Sequence, residues 1–215
     1  MQRRFADKVV IITGSTSGIG QAAAYRFGQE GAFLTIHGRN QDGMQETLRK
    51  LREMGVKDDR ILQVFGDVRE EKTLKDIIEK TAQKFGRIDV LVNNAGTIPE
   101  EEGGIAWSWR AWTSFWTCIK LINFALPYLE KTKGNIVNVS SVDGKKAHPE
   151  NMYYSVAKAA LDHYTRNASV LFAEKNVRIN NLNPGYIRTQ LKLRGEPLSK
   201  DSKSSKKAGS SEMCQ

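Results

Sequence analysis

The chain has 215 residues, of which 40% are apolar and 27% charged, and a formal net charge of +9. That is apolar enough for one core-forming domain and too apolar for a disordered chain. No stretch approaches the ~18 consecutive apolar residues of a membrane span, since the most apolar region, 105–129, is interrupted by Arg110 and Lys120. The N-terminal arginines are followed only by the short run Val9–Ile12, so no secretory leader is expected either.

In chain order, β-branched runs alternate with amphipathic helical stretches. The runs are Val9–Thr13, Phe33–His37, Ile61–Phe65, Ile88–Val92, Asn135–Val139 and Val177–Leu182. Between them lie Gly18–Glu30, Gln41–Met54, Glu71–Phe85, a segment ending near Lys131, and Asn151–Glu174. Parallel neighbours need crossover connections, and right-handed crossovers place helices on both faces. The expected fold class is therefore α/β, a doubly wound Rossmann-like parallel sheet. Residues 1–191 form the expected domain. The rest, 192–215, is Ser/Lys/Gly-rich and basic, with too few apolar anchors to offset its ordering entropy, so a disordered tail is expected.

Thr13–Gly20 reads TGSTSGIG, directly after the first strand and opening the first helix. Its glycines give a tight turn, close backbone approach to a pyrophosphate and close helix packing, with the helix N-terminus facing the anion. This marks Gly14, Ser17, Gly18, Ile19 and Gly20 as candidate dinucleotide-binding residues, although such turns also arise for packing alone. At the end of the second strand, Ile36-His37-Gly38-Arg39-Asn40 has no carboxylate to bond a ribose 2′-hydroxyl. Arg39 beside Asn40 instead suits a 2′-phosphate, so NADP(H) is the expected cofactor; the alternative is an exposed turn arginine.

Tyr154 and Lys158 are i and i+4 on one helix and share a face. A free phenol titrates near ~10, and a neighbouring ammonium should lower that value towards useful acid/base chemistry. Tyr153 has no lysine at i+4. By itself a Tyr/Lys pair is ordinarily a solvated helix face. Two cysteines, Cys118 and Cys214, form neither a CxxC nor a Cys/His cluster. No disulfide framework or metal site is expected, and the cytoplasm is the expected compartment.

With the glycine turn, Asp67-Val68, Asn93-Asn94-Ala95-Gly96, Asn135–Ser141, Tyr154–Lys158 and Pro184–Thr189 in that order, the chain resembles the short-chain dehydrogenase/reductase family. The resemblance implies strand order 3-2-1-4-5-6, with Asp67 and Val68 flanking an adenine and Asn94, Ala95 and Gly96 lining the cofactor. It places Pro184, Gly185, Ile187 and Thr189 at the nicotinamide end. It makes Ser141, Tyr154 and Lys158 catalytic: Ser141 bonds the substrate oxygen, Tyr154 exchanges the proton, and Lys158 also holds the nicotinamide ribose. The implied substrate is a carbonyl or secondary alcohol.

Two features depart from the family pattern. Ser114 stands where the family has an asparagine in its proton relay. A seventh strand is not expected after Pro184-Gly185, which would leave the sixth strand an open edge and the fold less stable or dependent on a partner. Trp109, Trp112 and Trp116 share a helical face, continued by Ile119 and Asn123, read as core or dimer surface, with a substrate wall or membrane patch as alternatives. A homo-oligomer through this helix and the Tyr154 helix is consistent with the first of these. His148, between Ser141 and Tyr154, is read as an exposed loop histidine or a substrate contact. The leading function is NADP(H)-dependent oxidoreduction. The alternatives are a dinucleotide-binding scaffold with little turnover and, more remotely, a basic module for nucleic acid, which the lack of interleaved aromatics in the tail argues against.

Overall fold

The computed structural model describes residues 3–96, 109–187 and 189. The expected tail and the question of a seventh strand lie outside these residues. In chain order they form β1 (Val9–Ile12), α1 (Gly18–Gln29), β2 (Phe33–Gly38), α2 (Gln41–Glu53), β3 (Ile61–Phe65), α3 (Glu71–Phe85), β4 (Val90–Asn93), α4 (Trp109–Thr132), β5 (Asn135–Val139), α5 (Met152–Ala173) and β6 (Arg178–Leu182). All strand pairs are parallel, and the sheet order is β3-β2-β1-β4-β5-β6.

Side chains alternate across a strand, so the register decides which rows face which helices. Ile11, Leu91, Ile136 and Ile179 are Cα partners in sequence across β1, β4, β5 and β6. All four point to one face, where they meet Leu74 and Ile77 of α3, Leu121, Ile122 and Leu129 of α4, and Phe172 of α5. Val10, Ile12, Leu34, Ile36, Val90 and Val92 point the other way, onto Ala24 of α1 and Met44, Leu48 and Leu51 of α2. Burial on both faces is why β1 reads as an unbroken apolar run rather than an alternating one. Among the described residues β6 pairs only with β5, and its Leu182 is half exposed.

Helix ends follow local chemistry. The Asn40 side chain accepts from Gly43 N at 3.0 Å and caps α2, while Gly86 closes α3 in the left-handed conformation at φ 74°. On α4 the buried face is Thr117, Cys118, Leu121, Ile122, Ala125 and Leu129. The tryptophan row does not coincide with it: Trp112 is half-buried, Trp116 is 57% exposed, and the Trp109 side chain lies outside the described residues. This corrects the core reading of that face, because the row sits on the flank of the helix, turned away from the sheet.

Between β4, β5, β6 and α5 runs a buried polar chain. Asn93 Nδ2 donates to Asn138 Oδ1 at 2.9 Å, Asn138 Nδ2 to Thr165 Oγ1 at 3.0 Å, and Thr165 Oγ1 lies 2.8 Å from Asn181 Oδ1. Asn138 is fully buried and serves both neighbours. Asn138→Ala takes the acceptor from the Asn93 amide and the donor from the Thr165 oxygen in the core, which costs about 1–3 kcal/mol. The expected result is a lower urea midpoint at unchanged slope; an unchanged midpoint contradicts the role given to this chain of bonds.

Candidate active site

The carboxyl ends of β1 and β4 diverge to opposite faces of the sheet and leave a crevice between them. Thr13, just past β1, is fully used there. Its hydroxyl accepts from Asn94 N and Ala95 N, both at 3.0 Å, and lies 3.4 Å from Val92 O. Asn94 Nδ2 donates back to Thr13 O at 2.9 Å and Gly14 O at 3.1 Å. Gly14 and Gly18 have φ of 66° and 56°, which glycine adopts at little cost. At Gly20 a Cβ would come within 2.4 Å of Asn94 Nδ2 and 2.5 Å of Gly14 O. Gly20 therefore lets α1 pack against the Asn94 side chain, and it lines neither of the two cavities described below.

A cleft of about 570 Å³ follows this turn. It is lined by Gly14, Ser17, Gly18, Ile19, Arg39, Asn40, Asp67, Val68, Asn94, Ala95, Gly96, Ser114 and Thr189. A second cavity, of about 340 Å³, contains Ser141, Tyr154 and Lys158, with Pro184, Gly185 and Ile187. The two adjoin, since Ile19, Asn94, Ala95, Gly96, Ser114 and Thr189 line both. The cleft suits a dinucleotide on chemical grounds: the first turn of α1 has no acidic residue and the Ser17 hydroxyl makes no capping bond, so an anion meets no competing carboxylate there.

At the β2 end of the cleft the sequence reading missed a residue. Arg69 clamps Asp67 through Nε at 3.0 Å and Nη2 at 2.6 Å, with its backbone N–H at 2.9 Å, while Arg39 reaches the same carboxylate at 3.1 Å. The Arg69 bonds hold the Asp67 carboxyl well below the usual range. Arg69, only two positions beyond Asp67, was visible as a second basic residue of this motif.

In the smaller cavity Tyr154 and Lys158 share the inner face of α5, with the Lys158 ammonium 5.5 Å from the Tyr154 ring centroid. Lys158 Nζ donates to Val139 O at 2.7 Å. The expected lowering of the phenol by this lysine is not what the structure shows. Burial pushes the Tyr154 phenol above its ordinary value, a hydrogen bond with Ser141 opposes this, and the Asp143 charge adds to it. The ammonium lies against the ring and is turned to a carbonyl. Burial also pushes Lys158 below its ordinary value, opposed by Cys118 and Asp162. Burial raises the Cys118 thiol to about 11, so it is neutral at pH 7 and Asp162 is the standing charge.

Asp162, one turn beyond Lys158, is buried and accepts from Asn181 Nδ2 at 2.8 Å and from Asn183 Nδ2 at 2.8 and 3.1 Å. Asn183 Nδ2 also reaches Ser141 O at 2.9 Å. The turn before Pro184 is thereby tied to the serine. His148, Asp143, Asn151, Phe115 and Cys118 complete the wall. Among the described residues no cluster of His, Cys, Asp and Glu could hold a metal ion, and no helix is long and apolar enough to cross a membrane.

Residues 8–196 match the short chain dehydrogenase family, and the chain belongs to it. It is 39% identical over 187 residues to 11-beta-hydroxysteroid dehydrogenase-like 4A of Arabidopsis thaliana, covering 84% of this chain and 61% of that protein. A short-chain dehydrogenase/reductase of unknown function from Caenorhabditis elegans, solved with cofactor, superposes with a TM-score of 0.83 at 38% identity, covering 91% of this chain and 76% of the other. L-sorbose reductase from Gluconobacter frateurii, complexed with NADPH and L-sorbose, gives 0.79 at 33% identity, covering 88% and 73%. The chain spans between half and two thirds of the length of the plant 11-beta-hydroxysteroid dehydrogenase relatives it matches.

His37, buried at the end of β2, joins the glycine turn to the end of β3. Gly14 N lies 3.4 Å from Nδ1, which makes Nδ1 the acceptor, and Nε2 lies 3.1 Å from Gly66 O and carries the proton. Burial lowers its pKa from 6.5 to about 4. The unfolded chain therefore binds the extra proton first. Stability from this group is full above pH 6.5 and is lost as pH falls towards 4, by about 3 kcal/mol in all. Unfolding free energies measured across this window should rise less steeply with pH for His37→Gln than for the wild type; parallel slopes would contradict the assignment.

Proposed function

We propose that the chain is an NADP(H)-dependent oxidoreductase that interconverts a carbonyl and a secondary alcohol. The carrying observation is that Ser141, Tyr154 and Lys158 converge in one cavity adjoining the glycine-turn cleft. When bound, the nicotinamide supplies the hydride chemistry. The chain's residues handle the oxygen and its proton: Ser141 holds the substrate oxygen, and Tyr154, protonated at neutral pH by its burial, donates to it in reduction. Lys158 would hold the nicotinamide ribose.

The preference for the phosphorylated cofactor is supported by charge. Arg39 and Arg69 face a single carboxylate, Asp67, at the edge of the cleft. The Arg69 bonds occupy Asp67, so the more exposed, singly bonded Arg39 can turn to a 2′-phosphate. Ser114 lines both cavities, and the convergence of the three catalytic candidates favours turnover over a scaffold role. The reading extends to a reducing, cytoplasmic setting, in keeping with the buried free thiol of Cys118. It also extends to a homo-oligomer through α4 and α5, which expose Trp116, Val156, Val170 and Leu171.

Two substitutions test the reading. Tyr154→Phe should lower turnover roughly 10²–10⁴-fold while NADPH still binds; retained turnover overturns the role of the phenol. Arg39→Asp should shift the NADPH/NADH ratio of kcat/KM towards NADH by about tenfold or more, the worth of one charge-assisted bond. An unchanged ratio overturns the cofactor assignment.

A further inference from the structure

We propose that Asp143 and His148 form a subsite for a hydroxyl group close to the reacting carbon of the substrate, which makes hydroxy-ketones and diols with an apolar body the substrate class. This rests on the oxidoreductase reading above. Both residues line the smaller cavity together with Ser141 and Tyr154. Asp143 N donates to Ser141 Oγ at 3.1 Å, and the Asp143 carboxylate pairs with His148 Nδ1 at 3.2 Å. Two hydrogen bonds thus connect the serine hydroxyl to the imidazole. Asn151 Nδ2, 3.5 Å from the same ring nitrogen, is at the limit of bonding distance and competes weakly.

Because the Asp143 carboxylate accepts a hydrogen bond from Nδ1–H, the acceptor of this tautomer is Nε2. Among the described residues Nε2 has no hydrogen bond, and the His148 side chain is 37% exposed at the cavity wall. An apolar group placed here would strip water from the imidazole and the carboxylate without replacing its bonds. An anionic group would meet the Asp143 charge, which already reaches Tyr154. A hydroxyl satisfies both constraints by donating to Nε2. Phe115, Val142, Leu161 and Ile187 add apolar surface to the same cavity, which suits a hydrocarbon body. Ser141 and His148 line one cavity of about 340 Å³, so a single small substrate can reach both. A pocket built to bond a hydroxyl rejects the analogue that lacks it, because its own polar groups are left unpaired.

The test uses matched pairs. Rates with NADPH are compared for 2-hydroxycyclohexanone and cyclohexanone, and calorimetry with saturating NADP compares cyclohexane-1,2-diol with cyclohexanol. The expected result is a preference of about tenfold or more for the hydroxylated member in both measurements. In His148→Phe the ratio should fall to near one, and in His148→Gln, which keeps an acceptor oxygen, it should recover in part. Equal treatment of the pairs by the wild type, a preference unchanged in His148→Phe, or no binding of the diol overturns the subsite. Tighter binding of 2-oxocyclohexanecarboxylate than of the hydroxy-ketone also overturns it, in favour of an anion site. Selective binding of the diol without turnover of either ketone supports the subsite and overturns the oxidoreductase reading instead.

Discussion

The arrangement of the site depends on the Thr13 hydroxyl. It sits where the chain leaves β1, and it accepts the two backbone N–H groups at the start of the loop beyond β4. Those groups have left the sheet ladder and would otherwise lie half-buried without partners, at a cost of about 1–3 kcal/mol each. Asn94 closes the knot by returning both amide hydrogens to the carbonyls of Thr13 and Gly14. The glycine turn and the Asn94–Gly96 segment are therefore one rigid body, and α1 starts from it at a fixed angle because Gly20 has no Cβ to hold the helix away. His37 extends the same body to the end of β3 through Gly66. A cleft on strand ends keeps its shape without a ligand, which is the preorganisation that binding sites require.

The second half of the site has a different basis. Tyr154, Lys158 and Asp162 follow one another at i+4 intervals on α5, so a phenol, an ammonium and a carboxylate form a ladder on the helix face turned to β5 and β6. A buried ammonium is costly unless charge and hydrogen bonds compensate. Here Val139 O supplies the hydrogen bond and Asp162 the opposite charge one turn away. Asp162 is in turn held by the amides of Asn181 and Asn183, and Asn183 also grips the Ser141 carbonyl. The residue that balances Lys158 is thus the one that joins the helix to the serine and to the turn at Pro184.

Much of this was legible in the sequence because it depends on local chemistry. β-branched runs buried on both faces define the strands, so the expected runs fall on the observed elements to within a residue or two at most ends. The glycine turn is readable because only a glycine tolerates the φ of Gly14 and Gly18 without strain. Three things were not legible, each for a tertiary reason. The direction of the Tyr154 shift depends on how deeply α5 is buried, which i+4 spacing does not reveal. The tryptophan row read as a core or dimer face because its spacing is regular, but the more strongly buried row of α4 begins at Thr117 and Cys118, and only packing decides which of two apolar stripes is the core one. The Asp143–His148 pair joins residues five apart across an irregular turn, where no periodicity brings side chains together.

The raised phenol bears on how the two directions of the proposed reaction differ. A donor for reduction must be protonated, and burial keeps Tyr154 in that state at neutral pH. The reverse reaction needs the phenolate as proton acceptor, which burial and the Asp143 charge both disfavour. The Ser141 hydroxyl opposes them by donating to the phenol oxygen, the one interaction here that favours the phenolate. Ser141 therefore acts twice under the proposed reading, on the substrate oxygen and on the readiness of its partner. Asp143, whose backbone N–H bonds the Ser141 oxygen, influences both from one position.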